Sequence, residues 1–204
     1  MNIANPGHLA GDQTGSQLGL LPRIGALNRT LSGKFLLAVS ASLFVAACAH
    51  VSIPLPFTPV PLTFSDFAVI LVGLALGPAT AFAALVLYLT EGALGLPVFN
   101  PGGLGGVAQL FGHTGGYLMA YPVSAALAGL LSRKLAPRFV AALIGAAAGS
   151  TLLMICGVTW LGFQLHLAPA TAFKLGALPF IPGQIVKVLS AAGIVASFRR
   201  PPQA

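Results

Sequence analysis

Charge is what this sequence has least of. Only 6% of its 204 residues are Asp, Glu, Lys or Arg, and only three are acidic. An ordinary soluble domain carries roughly 25% charged residues. With 56% hydrophobic residues and a mean hydropathy of +0.92, the chain has too little polar surface to cover a water-soluble fold. That excludes a soluble globular domain and predicts a single helical membrane domain. Cysteine is also scarce. Cys48 and Cys156 lie in apolar runs, form no C-x-x-C pair, and read as buried small residues. Catalytic signatures are missing. There is no G-x-x-x-x-G-K-[ST], and "GKF" at 33–35 lacks both the earlier glycine and the hydroxyl residue. No ATP site and no bound cofactor are therefore expected on this chain. No H-E-x-x-H and no Ser/His dyad stands out, so the chain does not read as an enzyme. His50, His113 and His166 are not spaced as metal ligands, and no metal is expected. No internal repeat is evident, which argues against an inverted-repeat transporter.

What is present is a series of apolar segments. Residues 1–30 are polar and aperiodic and read as a flexible cytosolic tail, leaving 31–200 as the membrane domain. Spans are predicted at 35–53, 62–76, 79–94, 116–132, 139–161 and 177–198, the first near the length of about 20 residues that a hydrocarbon core of about 30 Å requires. "VAAC", ending at Cys48, resembles a lipoprotein cleavage box, but more than thirty residues precede it, long for a signal peptide. The linker "PLPFTPVP" places four prolines within 54–61, which no helix interior tolerates, and it reads as an extended loop. The segment 95–115 is rich in Gly and Pro. It reads as a re-entrant or structured outer loop with a short helix near Val107–Phe111.

The net charge of +7 reads as topology rather than as a nucleic-acid patch, because the basic residues stand between apolar segments. Arg23, Arg29 and Lys34 precede the first span. Arg133, Lys134 and Arg138 join the fourth and fifth, and Arg199 and Arg200 come after the sixth. With six spans all eight fall on one side, which the positive-inside rule makes cytoplasmic. An odd count would divide them. Both termini are thus expected inside, in a bacterial inner (cytoplasmic) membrane, with lipid around the bundle.

Three charges remain in the outer half: Asp66 at the start of span two, Glu91 near the outer end of span three, and Lys187 within span six. A charge at a helix centre costs roughly 2.5–3.5 kcal/mol on insertion scales, so such residues face the bundle or a cavity and find partners. Pro179, Pro182 and Gly183 are expected to break or delay span six, so that its first regular turn begins near Gly183. A helix start with an ammonium one turn in suits a carboxylate. Lys187 therefore contacts a ligand or pairs permanently with Glu91 or Asp66, and the two roles are not exclusive. Gln184 shares its helix face. Tyr88, Asn100 and Gln109 are further polar candidates at this level. Trp160 reads as an interfacial anchor or a ligand platform. Ala38, Ser42 and Ala46 form a stripe of small residues that allows close approach of another helix, within the bundle or from a partner protein.

Together, "PLPFTPVPLTFSDFAVILVGLALGP", "YLTEGALGLPVFNPGG", "HTGGYLMAYPVSAALAGLLSRK" and "PFIPGQIVKVLSAA" resemble the BioY family, the biotin-specific substrate-binding subunits of energy-coupling factor (ECF) transporters. The resemblance runs from about residue 38 to 196. It implies a six-helix protein that binds biotin from outside and works with a transmembrane coupling protein and a pair of ATPases, transport proceeding by toppling of the binding subunit. It likens the Ala38, Ser42 and Ala46 stripe to the surface that meets the coupling protein, and gives Lys187 a ligand-contacting role. One departure stands out: the family's P-G-D-x-x-K reads "PGQIVK" here, with Gln184 in place of the acid. An amide offers a donor and an acceptor to a ureido group but does not neutralise Lys187, which would then depend on Glu91 or on the ligand's carboxylate. Phe99, Leu96 and Val98 are expected as apolar walls. Biotin's choice over other carboxylated vitamins rests on the resemblance. Two other readings are a proton-coupled carrier titrating Asp66 or Glu91, and a membrane protein with no soluble ligand.

Overall fold

The computed structural model describes Leu27, residues 30–134 and residues 138–198. Most of the expected tail, and the basic residues Arg23, Arg29, Arg199 and Arg200, lie outside these. The architecture is helical. In chain order it comprises α1 (Leu31–His50), β1 (Ser52–Ile53), β2 (Leu62–Thr63), α2 (Ser65–Leu76), α3 (Pro78–Ala93), α4 (Gly106–Leu110), α5 (Gly115–Lys134), α6 (Arg138–Gln164), α7 (Pro169–Gly176), a 3₁₀ turn (Leu178–Phe180) and α8 (Ile181–Phe198).

Local chemistry sets the boundaries. Thr30 caps α1, its hydroxyl accepting from the Gly33 amide at 3.1 Å. Gly77, at φ 82°, makes the turn between α2 and α3, a conformation closed to most side chains, and Pro78 then opens α3 at a position whose amide needs no partner. Among the described residues α1, α6 and the stretch Pro169–Phe198 are long and apolar enough to cross a membrane, whereas α2 and α3 are apolar but shorter, at 12 and 16 residues.

The bundle is an open arc of helices around α2. α3 packs between α1 and α5, α5 runs against α6, α6 against α8, and α2 fills the centre against α5 and α8. The α5–α6 seam is close. A Cβ on Gly145 would stand 2.5 Å from the Ala128 carbonyl oxygen, and one on Gly149 2.7 Å from that of Ser124. Only glycine permits this approach, the small-residue device of helices in lipid.

The structure revises several expectations. The proline-rich linker is a hairpin rather than a plain extended loop: β1 and β2 pair antiparallel, Ser52 opposite Thr63 and Ile53 opposite Leu62. The hairpin brings the end of α1 to the start of α2, so Lys34 lies at the opposite end of the bundle, with Arg133, whose Nη2 donates to the Leu76 carbonyl at 2.9 Å. The segment 162–176 is not a loop, since α6 runs to Gln164 and α7 comes next. Lys187 sits deeper than one turn, because the 3₁₀ turn absorbs Pro179 and α8 is already regular at Ile181, with Pro182 in its first turn. The stripe of Ala38, Ser42 and Ala46 is buried. It faces the interior, where α1 meets α3, and is not an exposed partner surface; the outward face of α1 instead carries Leu36, Leu43 and Phe44.

Candidate functional site

The start of α2 is where the charges meet. Asp66 lies in its first turn. From α8, Lys187 donates from Nζ to Asp66 Oδ2 at 2.9 Å and to the Thr63 carbonyl at 2.6 Å, and its ammonium stands 6.0 Å from the centre of the Phe64 ring. Gln184 Nε2 donates to the same Oδ2 at 3.1 Å, and Thr63 Oγ1 to Oδ1 at 3.1 Å. Lys187 is 8% exposed. A buried ammonium without a counter-charge would be costly, and the Asp66 carboxylate supplies one with its remaining lone pairs engaged. The counter-ion is therefore Asp66, not Glu91. Glu91 is turned toward α1, where it accepts from the Ser42 hydroxyl.

Aromatic hydroxyls build the neighbouring wall. Tyr121 shares a 2.7 Å hydrogen bond with Ser65. Tyr88, fully buried, stacks on Tyr121 with centroids 6.1 Å apart and meets Phe99 edge-on at 5.4 Å. Its hydroxyl donates to the Val98 carbonyl at 3.1 Å, pinning the outer loop to α3. Tyr117 donates to the Gly176 carbonyl at 2.6 Å, and Thr58 to that of Leu175 at 2.8 Å, so the proline-rich hairpin and α5 both hold the end of α7. Trp160 donates to the Gly112 carbonyl at 2.9 Å. It ties α6 to the outer loop.

These groups line a small cavity of about 50 Å³, below the roughly 300–1,000 Å³ of small-molecule pockets. Its polar lining includes Asp66, Gln184, Asn100, Gln109, Thr114 and the three tyrosines, and its apolar lining Val60, Leu118, Met154 and Phe180. Asn100 Oδ1 is buried and has no hydrogen-bond partner among the described residues. Such an atom costs stability while empty and marks where a donor belongs. Gln109, by contrast, is engaged: its Oε1 accepts from the Gly105 amide at 3.1 Å. Pro61, Asn100, Gln109 and Thr114 also line a second space of about 360 Å³ bounded by Gly102, His113 and Gln164. It forms a vestibule on the side of the 95–115 loop. A lateral apolar groove between α6 and α8 reaches the cavity wall at Met154 and Gln184.

Of the residues singled out from sequence, Asp66, Gln184, Tyr88, Asn100 and Gln109 line the cavity. Lys187 lies behind Asp66, Glu91 belongs to the α1–α3 contact, and Phe99 supports Tyr88 from outside. The expected apolar walls Phe99, Leu96 and Val98 are replaced by Val60, Leu118, Met154 and Phe180, because Val98 and Phe99 pack behind Tyr88 and Leu96 is half exposed. Sequence reasoning passed over Thr63, Ser65, Tyr117 and Tyr121. The tyrosines had a readable signal: two phenols four residues apart on one apolar span, hence on one face. Among the described residues no cluster of His, Cys, Asp or Glu is placed to hold a metal.

Comparison with known proteins agrees with this architecture. A family profile described as the BioY family matches residues 25–203. The probable biotin transporter BioY of Pyrococcus horikoshii is 41% identical over 151 residues, 74% of this chain and 88% of that protein. The biotin transporter BioY of Rhodobacter capsulatus is 37% identical over 180 residues, 83% of this chain and 90% of the relative, and that of Thermotoga maritima 34% over 165 residues, 79% and 95%. Among solved structures, the crystal structure at 2.1 Å of the S-component for biotin from an ECF-type ABC transporter superposes with a TM-score of 0.75 at 28% identity, covering 82% of this chain and 91% of that one.

Proposed function

The chain belongs to the BioY family, and from that premise we propose that it is the biotin-binding subunit of a vitamin uptake transporter in a bacterial cytoplasmic membrane. Six spans carry it: α1, α2 with its hairpin, α3, α5, α6 and α8, with both termini and the basic cluster inside. Biotin enters through the vestibule, passes Asn100 and Gln109, and settles in the cavity. The observation that carries this reading is the buried Asn100 Oδ1, without a partner among the described residues, in a cavity that joins a few polar groups to tyrosines and apolar side chains. A cyclic urea brings the missing N–H donor, and an apolar bicycle suits the apolar lining.

The mechanism rests on the same geometry. Binding satisfies Asn100, excludes water from the tyrosine wall, and stabilises the outer loop that Tyr88 and Trp160 hold down. Because the Asp66–Lys187 pair is neutral overall, the ligand's carboxylate gains most by staying away from Asp66, toward the vestibule where His113 lies. Energy for release to the inside comes from partners, a transmembrane coupling protein and ATPase subunits of an ECF module. The buried stripe of α1 does not serve as their contact; the exposed face bearing Leu36, Leu43 and Phe44 is the available one. Calorimetric titration of the purified chain with biotin tests the reading. Saturable one-to-one binding is expected, with desthiobiotin competing because it keeps the cyclic urea. A folded protein that takes up no biotin would refute it.

A further inference from the structure

One carboxylate oxygen organises the floor of the cavity. Asp66 Oδ2 accepts from Lys187 Nζ at 2.9 Å and from Gln184 Nε2 at 3.1 Å. An ionised carboxylate only accepts, so Gln184 has to turn its amino end toward Asp66, and its Oε1 becomes the free end of the amide. No hydrogen bond engages that oxygen among the described residues, and Gln184 lines the cavity. We infer that Asp66 is a positioning residue. It carries the negative charge of the cavity and holds Gln184 with its carbonyl toward the ligand, so that the site presents two acceptors, Gln184 Oε1 and Asn100 Oδ1, to a ligand with two N–H donors. For the ligand's identity this rests on the biotin reading above; the charge geometry does not depend on it.

The same geometry couples the two positions. Side chains 66 and 184 touch across α2 and α8, and Lys187 stands three residues beyond 184 on the same helix face. The acid and the amide therefore exchange places without changing the inventory: one carboxylate paired with Lys187, one amide donating to it, one acceptor left for the ligand. Asp66 already supplies the charge that Lys187 pairs with, so position 184 needs none.

The test is a set of four full-length proteins, wild type, Asp66→Asn, Gln184→Asp and the double exchange, each titrated with biotin and each followed by thermal unfolding without ligand. Asp66→Asn frees Gln184 to rotate and strips Lys187 of its counter-ion, so a loss of about a hundredfold in affinity and a lower unfolding temperature are expected. Gln184→Asp sets two carboxylates against one ammonium and also weakens both. The double exchange is expected to recover affinity to within about tenfold of wild type and to raise the unfolding temperature above both single variants. A double variant no better than the worse single variant in either readout would overturn the inference, as would Asp66→Asn binding like wild type. If wild type binds no biotin while the unfolding temperatures show the rescue, the charge exchange stands and the ligand assignment falls instead.

Discussion

The two ends of this bundle are held together in different ways. Toward the basic end, α5 and α6 meet through Gly145, Gly149, Ala128 and Ser124, with backbone nearly touching backbone. Toward the other end, where Gly116 still brings α5 close to the Cys156 backbone of α6, distant parts of the chain are also joined by single polar bonds: Lys187 to Asp66 and to Thr63, Gln184 to Asp66, Thr58 to Leu175 and Tyr117 to Gly176. Packing in lipid gains little from apolarity alone, since the tails are as apolar as leucine, and depends on closeness of fit. A polar contact in the same medium is costly when broken. One end is therefore a rigid base, and the other is an assembly whose partners a ligand is able to complete. The largest test of that contrast is Lys187→Met. It leaves Asp66 as a buried charge without its cation and is expected to cost about 3–5 kcal/mol of stability and to abolish biotin binding. Adding Asp66→Asn is expected to return most of the stability but not the binding, read by thermal unfolding and calorimetry on the same samples. Equal recovery of both would mean that the pair is only structural.

Gly149→Leu probes the rigid end. A Cβ there already stands 2.7 Å from the Ser124 carbonyl and 3.0 Å from Ala128 Cβ, so a larger side chain forces α5 and α6 apart at about 3 kcal/mol. The fraction that still folds is expected to bind biotin with near-normal affinity. An affinity loss in the folded fraction matching that of the site variants would erase the distinction between the two ends.

The next step down is Asn100→Ala. Because Oδ1 has no partner in the empty protein, its removal relieves a desolvated atom and is expected to leave unfolding unchanged or slightly improved. Affinity for biotin should fall about tenfold, the worth of a buried hydrogen bond to a neutral donor. Opposite signs for stability and binding are the signature of a group held for a ligand. A parallel loss of both would place Asn100 in the scaffold.

The contrast also explains what the sequence disclosed. Small residues and apolar runs declare helices and their close approach through composition and spacing alone, so α1, α3, α5, α6 and the α8 region were legible, and the family blocks located the chain. The polar end was legible only as a list of residues out of place, Asp66, Glu91 and Lys187. Which acid met the lysine was not, because the pairing spans more than a hundred positions and depends on the 3₁₀ turn at Leu178–Phe180, whose register sets how deep Lys187 lies. The stripe at Ala38, Ser42 and Ala46 left its neighbour open for a related reason: spacing shows that a helix face permits close approach, not which neighbour makes it. Leu96 and Phe99 were placed on the cavity wall because they are apolar and lie near Asn100, but the loop turns between them.

Tyr117→Phe has the smallest expected effect and draws the boundary within the polar end. The hydroxyl donates to the Gly176 carbonyl at 2.6 Å, so its loss leaves a buried acceptor at the end of α7 and is expected to cost about 1 kcal/mol, read as a modest fall in unfolding temperature. Thr58 still holds the adjacent Leu175 carbonyl at 2.8 Å, which limits the displacement of α7. The ring keeps its place in the cavity wall, so affinity for biotin should change by less than about threefold. A drop as large as that of Asn100→Ala would mean that the Tyr117 hydroxyl exchanges Gly176 for the ligand on binding. In that case the bonds that hold α7 are themselves part of the recognition site.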